Sequence, residues 1–423
     1  MKILHLSSVY APHAVGGAEK VVEVLAEGAA ALGHEVSVAH LVPQPAPAAQ
    51  RHGVAVRPLA HRNPLWIQDS ARYPGPVRNL NKVATLCNVL TAWDFERVLR
   101  ELRPDVVHTH SMVELTPAMW ALARRHGATL VHTLHDYDLL CIRAALFHHG
   151  RACERQHLAC RLFSQVKRHF HRHIDHVVGV SQAILDIHLA QGCFDALLPT
   201  QRHVVWNPVR GAQRPVRAVR QPGVPLTFGF MGRLVEEKGL QVLLDACRRL
   251  PPGGWRLRVA GRLPEDSPWR EAARGLPVEW LGYVDAASFL AEVDTLVVPS
   301  VWQEPFGLTI VEAYTQGVPV LGSDIGGITE LIGAVDPAAL VRPNDAQALA
   351  QRMSALIAQG VRPLAAEPLE RLLARVRPAA VVDDYLTIYQ MPPERVRSAA
   401  PALPLKGRAP VIAGAADATN PRQ

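Results

Sequence analysis

The sequence predicts an α/β protein built on two doubly wound parallel sheets, and three observations lead there. Short apolar runs alternate with amphipathic helical stretches through both halves of the chain, the pattern of successive βαβ units. At 423 residues the chain exceeds the roughly 250–300 that one hydrophobic core serves, so two domains are expected. Between the alternating halves lies a stretch rich in Arg, Pro and Gln, residues 211–223, which reads as a linker.

Composition narrows the function classes. A 48% hydrophobic content with 20% charge describes a globular chain and excludes a disordered one. Forty-five Lys and Arg against 38 Asp and Glu leave a net charge of +7, which favours nucleotides, phosphates or acidic membrane surfaces as partners. Zinc-finger spacing, an RRM signature and long Lys/Arg tracts are all missing, so no nucleic-acid partner is expected. Six cysteines are sparse for this length, and the apolar start at Met1 is too short and too soon polar for a signal peptide; a cytoplasmic protein with reduced thiols is expected. With no apolar window near the ~18 residues of a spanning helix, membrane contact would be peripheral. Cys141, Cys153 and Cys160 near His157 are separated by eleven and six residues, without a C-x2-C knuckle, and read as ordinary thiols with no metal.

In the first half, a strand over 3–6 leads into a loop with the paired glycines Gly16 and Gly17, then a helix ending at Gly33 and a strand over 36–41. Paired glycines let backbone approach a ligand, and equally make a plain turn. From 43 to 94 the periodicity fades, leaving an acceptor-facing loop or irregular packing open. Regular elements return as a helix over 93–102, a strand over 106–110, a helix over 118–125 and a strand over 129–134, with His135 and Asp136 at the carboxyl end of the last. Residues 161–173 combine Arg161, Lys167, Arg168, His169, His171, Arg172 and His173 with Leu162, Phe163, Val166 and Phe170. Such a helix suits an anionic lipid surface, and equally a solvated helix packed by its apolar stripe. Strands over 177–180 and 204–205 close the half.

The second half restarts with a strand over 226–231 and a loop containing Arg233 and Lys238, then a helix over 240–250 and strands over 257–260 and 278–281. Residues 297–313 follow as strand, loop and helix start, with Glu304 before the turn, Glu312 one turn into the helix, and the amides of Phe306, Gly307 and Leu308 at the helix entry. Unpaired first-turn amides attract anions, and an ionised carboxylate accepts from sugar or ribose hydroxyls. A first-turn charge and a solvated glutamate explain the same residues. A strand over 319–321, the turn Gly326-Gly327, a helix over 346–357 and a final helix over 379–389 complete the pattern; from about 392 onward the Pro/Ala/Arg-rich tail is expected to be disordered.

Taken together and in order, several pieces resemble the retaining glycosyltransferases of family 4, the group 1 glycosyltransferases. The pieces are Gly16-Gly17-Ala18-Glu19, Gly33-His34-Glu35-Val36, His135-Asp136-Tyr137, Val180-Ser181, Asn207-Pro208-Val209, Gly232-Arg233-Leu234 with Lys238-Gly239, Glu304 with Glu312, Gly317-Val318-Pro319-Val320, and Gly326-Gly327 with Glu330. The resemblance spans about residues 1–390 and implies the GT-B fold, two Rossmann-like domains facing across a cleft. It implies an acceptor-side domain over 1–210, a linker over 211–224, a nucleotide-sugar domain over 225–379, and a helix over 380–391 that packs back on the first domain. Arg233 and Lys238 would hold the donor diphosphate, with Gly16 and Gly17 approaching it from the other domain. Phe306, Gly307 and Leu308 would offer amides, Glu304 would accept from sugar hydroxyls and Glu312 from the ribose, and His135 would lie beside the donor sugar.

The implied reaction moves a sugar from a UDP- or GDP-sugar to a glycan, a lipid-linked glycan or a small acceptor, with no cofactor and no metal. Two departures from the family pattern, Ala260-Gly261-Arg262 and Cys141-Ile142-Arg143, bear on subgroup and acceptor. A nucleotide-sugar epimerase or glycan phosphorylase on the same fold, and a non-catalytic sugar-nucleotide binder, are the alternatives. No pyridoxal-lysine motif supports a phosphorylase, and a decayed site would be expected to have lost some of Arg233, Lys238, Glu304, Glu312 and His135.

Overall fold

In the computed structural model, which describes residues 1–11, 16–66, 72–153, 155–211, 224–263 and 267–393, strand and helix alternate in each half. The first half contains β1 (Lys2–Ser7), α1 (Gly17–Ala31), β2 (Glu35–Val42), β3 (Ala49–Arg51), β4 (Val54–Ala60), α2 (Gly75–Leu86), α3 (Val89–Leu102), β5 (Val106–Thr109), α4 (Ala118–Arg125) and β6 (Thr129–Leu134). A small hairpin, β7 (Phe147–His148) and β8 (Arg151–Ala152), precedes α5 (Leu158–His171), β9 (His176–Gly179), α6 (Gln182–Ala190) and β10 (Arg202–Val204). The second half contains β11 (Leu226–Met231), α7 (Leu240–Cys247), β12 (Trp255–Ala260), α8 (Pro268–Ala272), β13 (Val278–Gly282), α9 (Ala286–Ala291), β14 (Thr295–Val298), α10 (Leu308–Thr315) and β15 (Val320–Ser323). It ends with α11 (Gly327–Gly333), β16 (Leu340–Val341), α12 (Ala346–Gln359), α13 (Ala366–Arg375) and α14 (Pro378–Gln390).

The first sheet has the order β10-β9-β6-β5-β1-β2-β4-β3 and is parallel except for β3, which runs antiparallel to β4. The second has the order β13-β12-β11-β14-β15-β16 and is parallel throughout. Helices cover both faces of a parallel sheet, so central strands such as β5 are buried along their whole length and read as continuous apolar runs. Strand order reverses direction beside β1 in one sheet and beside β11 in the other, and at such switch points the loops diverge and leave a crevice. Arg233 and Lys238 follow β11, Glu304 follows β14, and these two strands are neighbours in the second sheet.

The helix α14 returns to the first half and lies along α1, burying Val381, Val382, Tyr385, Leu386, Ile388 and Tyr389 against the β1 side of the sheet. Its close approach depends on Gly28, where an added Cβ would stand 2.6 Å from Val382. The linker and tail expected at 211–224 and 392–423 lie almost wholly outside the described residues.

Two departures from the sequence reading have plain causes. The stretch from 43 to 94 is ordered structure, comprising β3, β4, α2 and the start of α3. Its periodicity is hard to read because α2 buries Asn81, Thr85 and Leu86 and turns Val77, Leu80 and Val83 to solvent. In α5, Leu158, Leu162 and Val166 are exposed, while Phe163, Lys167 and His171 face inward. Half of the apolar stripe therefore packs this helix, through Phe163 and Phe170, and an ion pair between Lys167 Nζ and Asp138 at 2.5 Å and the stacking of His171 on Phe194 add to it.

Burial also makes the fold sensitive to acid. Desolvation pushes the imidazoles of His5 and His132 down to about 3 and that of His188 down to about 4, against about 6.5 in an unfolded chain. Between those limits these groups bind more protons in the unfolded chain, so their contribution to stability is complete above pH 6.5 and is lost as pH drops. Each group contributes a slope of about 1.4 kcal/mol per pH unit, and three give about 4. Against a typical stability of about 5–15 kcal/mol, cooperative loss of the circular-dichroism signal is expected between about pH 6 and pH 4.

Candidate active site

The loop between β14 and α10 is held from three sides. Gly239, at φ +72°, lies where an added Cβ would meet the Pro299 carbonyl oxygen at 1.9 Å, and the N–H of Val301 donates to Glu237 O at 3.0 Å. On the other flank the loop backbone rests on Gly326 and Gly327: the N–H of Gly327 donates to Glu304 O at 2.7 Å, and a Cβ on either glycine would strike loop backbone inside 3 Å. The third contact comes from the first domain, where Ser181 Oγ donates to Pro305 O at 2.6 Å.

This clamp turns the Glu304 carboxylate toward Lys238. Lys238 Nζ donates to Glu304 Oε2 at 2.6 Å, Trp302 Nε1 donates to the same oxygen at 3.0 Å, and Ser300 Oγ lies 3.5 Å away. The ammonium also stands 5.6 Å from the centre of the Trp302 ring, an added cation–π attraction. Glu304 is 9% exposed, and its carboxylate together with burial pushes the phenol of Tyr137 upward. Arg233 is largely exposed, with Glu237 its nearest acid at 4.0 Å, so its guanidinium is available to a ligand.

The amides of Gly307 and Leu308 have no hydrogen-bond partner among the described residues, and Gly307 caps α10 at φ +112°. Phe306 is buried against Trp206, ring centres 6.3 Å apart. Glu312 is partly buried on α10, where desolvation pushes its carboxyl up and Lys20 of the opposite domain draws it down. Gly17 meets the same helix: an added Cβ would stand 2.4 Å from Leu308 Cδ1. Gly16 donates its N–H to Glu19 Oε2 at 2.9 Å, closing a turn at the entry to α1. Thus Gly17, Leu308, Glu312 and Lys20 form one end of an interdomain contact, and Lys238, Glu304 and Trp302 another.

His135 follows β6 and is half-buried; desolvation pushes it down to about 4, so it is neutral near pH 7. Its Nε2 lies 3.1 Å from His110 Nδ1. Asp136 accepts from Ser111 Oγ and from the N–H of Asp138, both at 2.8 Å, and is pushed upward by burial and by Asp138. The six cysteines are free; Cys141 Sγ accepts the Arg143 N–H at 3.4 Å. Among the described residues one group could converge on a metal ion, His5, His108 and His110, with ligating atoms within 4.8 Å of one another. Its ring nitrogens are already committed to hydrogen bonds, except His5 Nε2.

Several residues that complete this arrangement carried no role in the sequence reading. Trp302 and Ser300 were part of the stretch but silent there. Glu330 accepts the N–H groups of Gln182 at 3.0 Å and Ala183 at 2.8 Å, capping α6 from the opposite domain. A carboxylate on first-turn amides also meets the positive end of the helix dipole. No periodicity announces a cap donated across a cleft; the signal available was only the position of Glu330 after the glycine pair.

Two parallel α/β domains that meet beside a lysine–glutamate pair, open helix amides and Gly17 have the GT-B fold of glycosyltransferases. The chain belongs to glycosyltransferase family 4: the model described as Glycosyltransferase Family 4 matches residues 15–210, and that described as Glycosyl transferases group 1 matches residues 225–359. A 42.6 kDa protein of the cps region of Klebsiella pneumoniae is 30% identical over 333 residues, covering 78% of this chain and 87% of its own. The 2-deoxystreptamine N-acetyl-D-glucosaminyltransferase of Streptomyces fradiae is 32% identical over 294 residues, covering 63% of this chain and 65% of its own. In fold, the chain is similar to Anabaena Alr3699/HepE in complex with UDP and glucose, with a TM-score of 0.63 at 19% identity over 92% of this chain and 100% of that one.

The cap across the cleft is testable. Glu330→Ala should leave both domains folded but cost about 1–2 kcal/mol of the closed arrangement, seen as a larger radius of gyration by small-angle scattering with an unchanged circular-dichroism spectrum.

Proposed function

We propose that this enzyme moves a sugar from a UDP- or GDP-sugar to a glycan or lipid-linked acceptor with retention at the anomeric carbon, using protein cations where other enzymes use a metal. The observation that carries the reading is the Lys238–Glu304 pair fixed beside the open amides of Gly307 and Leu308. The ammonium and the nearby Arg233 face the place where negative charge develops as the bond from the anomeric carbon to phosphate breaks, and preorganised positive charge there lowers the barrier. Glu304, held by Trp302, accepts from a sugar hydroxyl, and Glu312 accepts from the ribose. The acceptor oxygen bonds to the same face of the anomeric carbon while its proton passes to the departing phosphate oxygen. The UDP and glucose in the Anabaena complex and the N-acetyl-D-glucosaminyl group of the Streptomyces enzyme support a nucleoside diphosphate hexose as donor.

On incubation with a panel of UDP-, GDP- and ADP-sugars and acceptors, the protein is expected to release nucleoside diphosphate with one donor. Lys238→Ala should lower kcat at least a hundredfold. Glu312→Ala should raise the donor KM about 10- to 100-fold, the equivalent of one charged hydrogen bond of about 1.5–3 kcal/mol. Unchanged kinetics in both variants would overturn the reading.

The acceptor side supports a bilayer-bound acceptor. Ten large apolar side chains of the first domain are exposed: Tyr73, then Val77, Leu80 and Val83 of α2, Val89, Leu90 and Trp93 of α3, and Leu158, Leu162 and Val166 of α5, which adjoins α2. Stretches 72–86 and 155–173 contain no Asp or Glu, and Arg78, Arg155, Arg161, Arg168 and Arg172 are exposed among these apolar groups. No described helix is long and apolar enough to cross a membrane. Each basic group near an anionic leaflet contributes about 1 kcal/mol, and the apolar side chains add burial in the interface. Co-sedimentation with phosphatidylglycerol vesicles is expected, at least tenfold weaker for Leu162→Glu and for vesicles of phosphatidylcholine alone. Equal partition of wild type and Leu162→Glu would remove membrane docking from the proposal.

A further inference from the structure

We propose that His5 and His110 are positioning residues that fix the tautomer of His135, so that its outer nitrogen presents an N–H to the ligand in the cleft. The inference rests on the reading above that His135 faces the donor sugar. Its basis is a chain of three imidazoles. His5 Nδ1 lies 3.0 Å from His110 Nε2, and His110 Nδ1 lies 3.1 Å from His135 Nε2. The parallel register of β1 and β5 produces it by setting His5 beside His108, with His110 two residues further along on the same face.

A neutral imidazole has one N–H and one lone pair. In a chain that uses both nitrogens of the middle ring, every hydrogen bond must therefore run the same way. Burial keeps the three rings uncharged near neutral pH, His110 being pushed well below the ordinary histidine range. The buried end of the chain selects the direction. His5 is wholly buried and its Nε2 has no partner. A buried donor without an acceptor is avoided more strongly than an acceptor without a donor, so Nε2 carries the lone pair and Nδ1 the proton. His5 then donates to His110, His110 donates to His135 Nε2, and His135 carries its proton on Nδ1. That nitrogen has no partner among the described residues, and its N–H is free to donate to an oxygen of the donor sugar or the departing phosphate.

A second set of contacts holds the middle of the chain. The ring of His108 lies 4.0 Å from that of His110, centre to centre. His108 is anchored by Tyr389 OH of α14 at its Nδ1, 2.6 Å away, and by Thr133 Oγ1 at its Nε2, 2.8 Å away. Tyr385 OH of α14 lies 3.0 Å from the same Thr133 hydroxyl. The docked C-terminal helix thus keeps the histidine stack in place.

The test reads the tautomer directly. Uniformly 15N-labelled full-length protein, with the His135 resonances assigned by their loss in His135→Gln, should show a single Nδ1–H form of His135 without any substrate. His110→Phe keeps a ring under His108 but removes both hydrogen bonds; it should give mixed tautomers, with kcat at least tenfold lower and the nucleoside diphosphate Kd within threefold of wild type. His5→Leu, should His110→Phe not fold, is expected to give mixed tautomers and a smaller loss of kcat. An Nε2–H or mixed form in the wild type overturns the inference. So does a stoichiometric transition metal in purified wild type that is lost in His110→Phe, since the ring nitrogens would then be ligands. A locked tautomer in a protein that binds no nucleoside diphosphate would remove the functional reading and leave the positioning chain standing.

Discussion

The structure depends most on the path of the backbone from Pro299 to Leu308. That segment passes closer to its neighbours than any side chain at positions 239, 326 or 327 would permit. Glycine at those positions is a steric requirement, and the reward is a carboxylate whose direction is set by backbone and not by rotamer preference. Once the loop takes this path, Lys238 has a partner 2.6 Å away and Trp302 supplies a second donor. The ion pair is largely shielded from water, where its attraction exceeds that of a surface pair while the residual solvation of Lys238 limits its cost.

The same segment joins the two halves. Ser181 donates to Pro305 and Glu330 accepts from Gln182 and Ala183 between the domains, Tyr137 meets Trp302 with ring centres 6.1 Å apart, and Trp206 meets Phe306. Arg375 lies 3.8 Å above the Trp206 ring, and the Val209 N–H donates to Val376 O. The largest core cluster consequently runs through both domains without a break.

The first domain contains an unusual concentration of buried imidazoles, three of them in one stack under the C-terminal helix with the half-buried His135 against it. Water is excluded there, so the rings stay neutral and, His5 Nε2 apart, the nitrogens of His5, His108 and His110 find their partners within the protein. Alignment of tautomers follows from that accounting. It links α14, the last helix of the chain, to His135 at the carboxyl end of β6.

Much of the architecture was legible in the sequence because its signal is local. Buried parallel strands read as apolar runs, βαβ alternation reads as two wound sheets, and the motifs at Gly17, His135, Arg233, Lys238, Glu304 and Glu312 sit where strands end. The stretch from 43 to 94, α13 and the outward face of α5 were illegible, since their periodicity reports amphipathicity but not which face meets the core. Residue types and their order along the chain were determined by the sequence alone. Only the tertiary structure decided that Lys238 pairs with Glu304, that Glu330 caps a helix of the other domain, and that His5, His110 and His135 form one chain. Those contacts join residues 25 to 148 positions apart, and neither local propensity nor spacing carries distances of that kind.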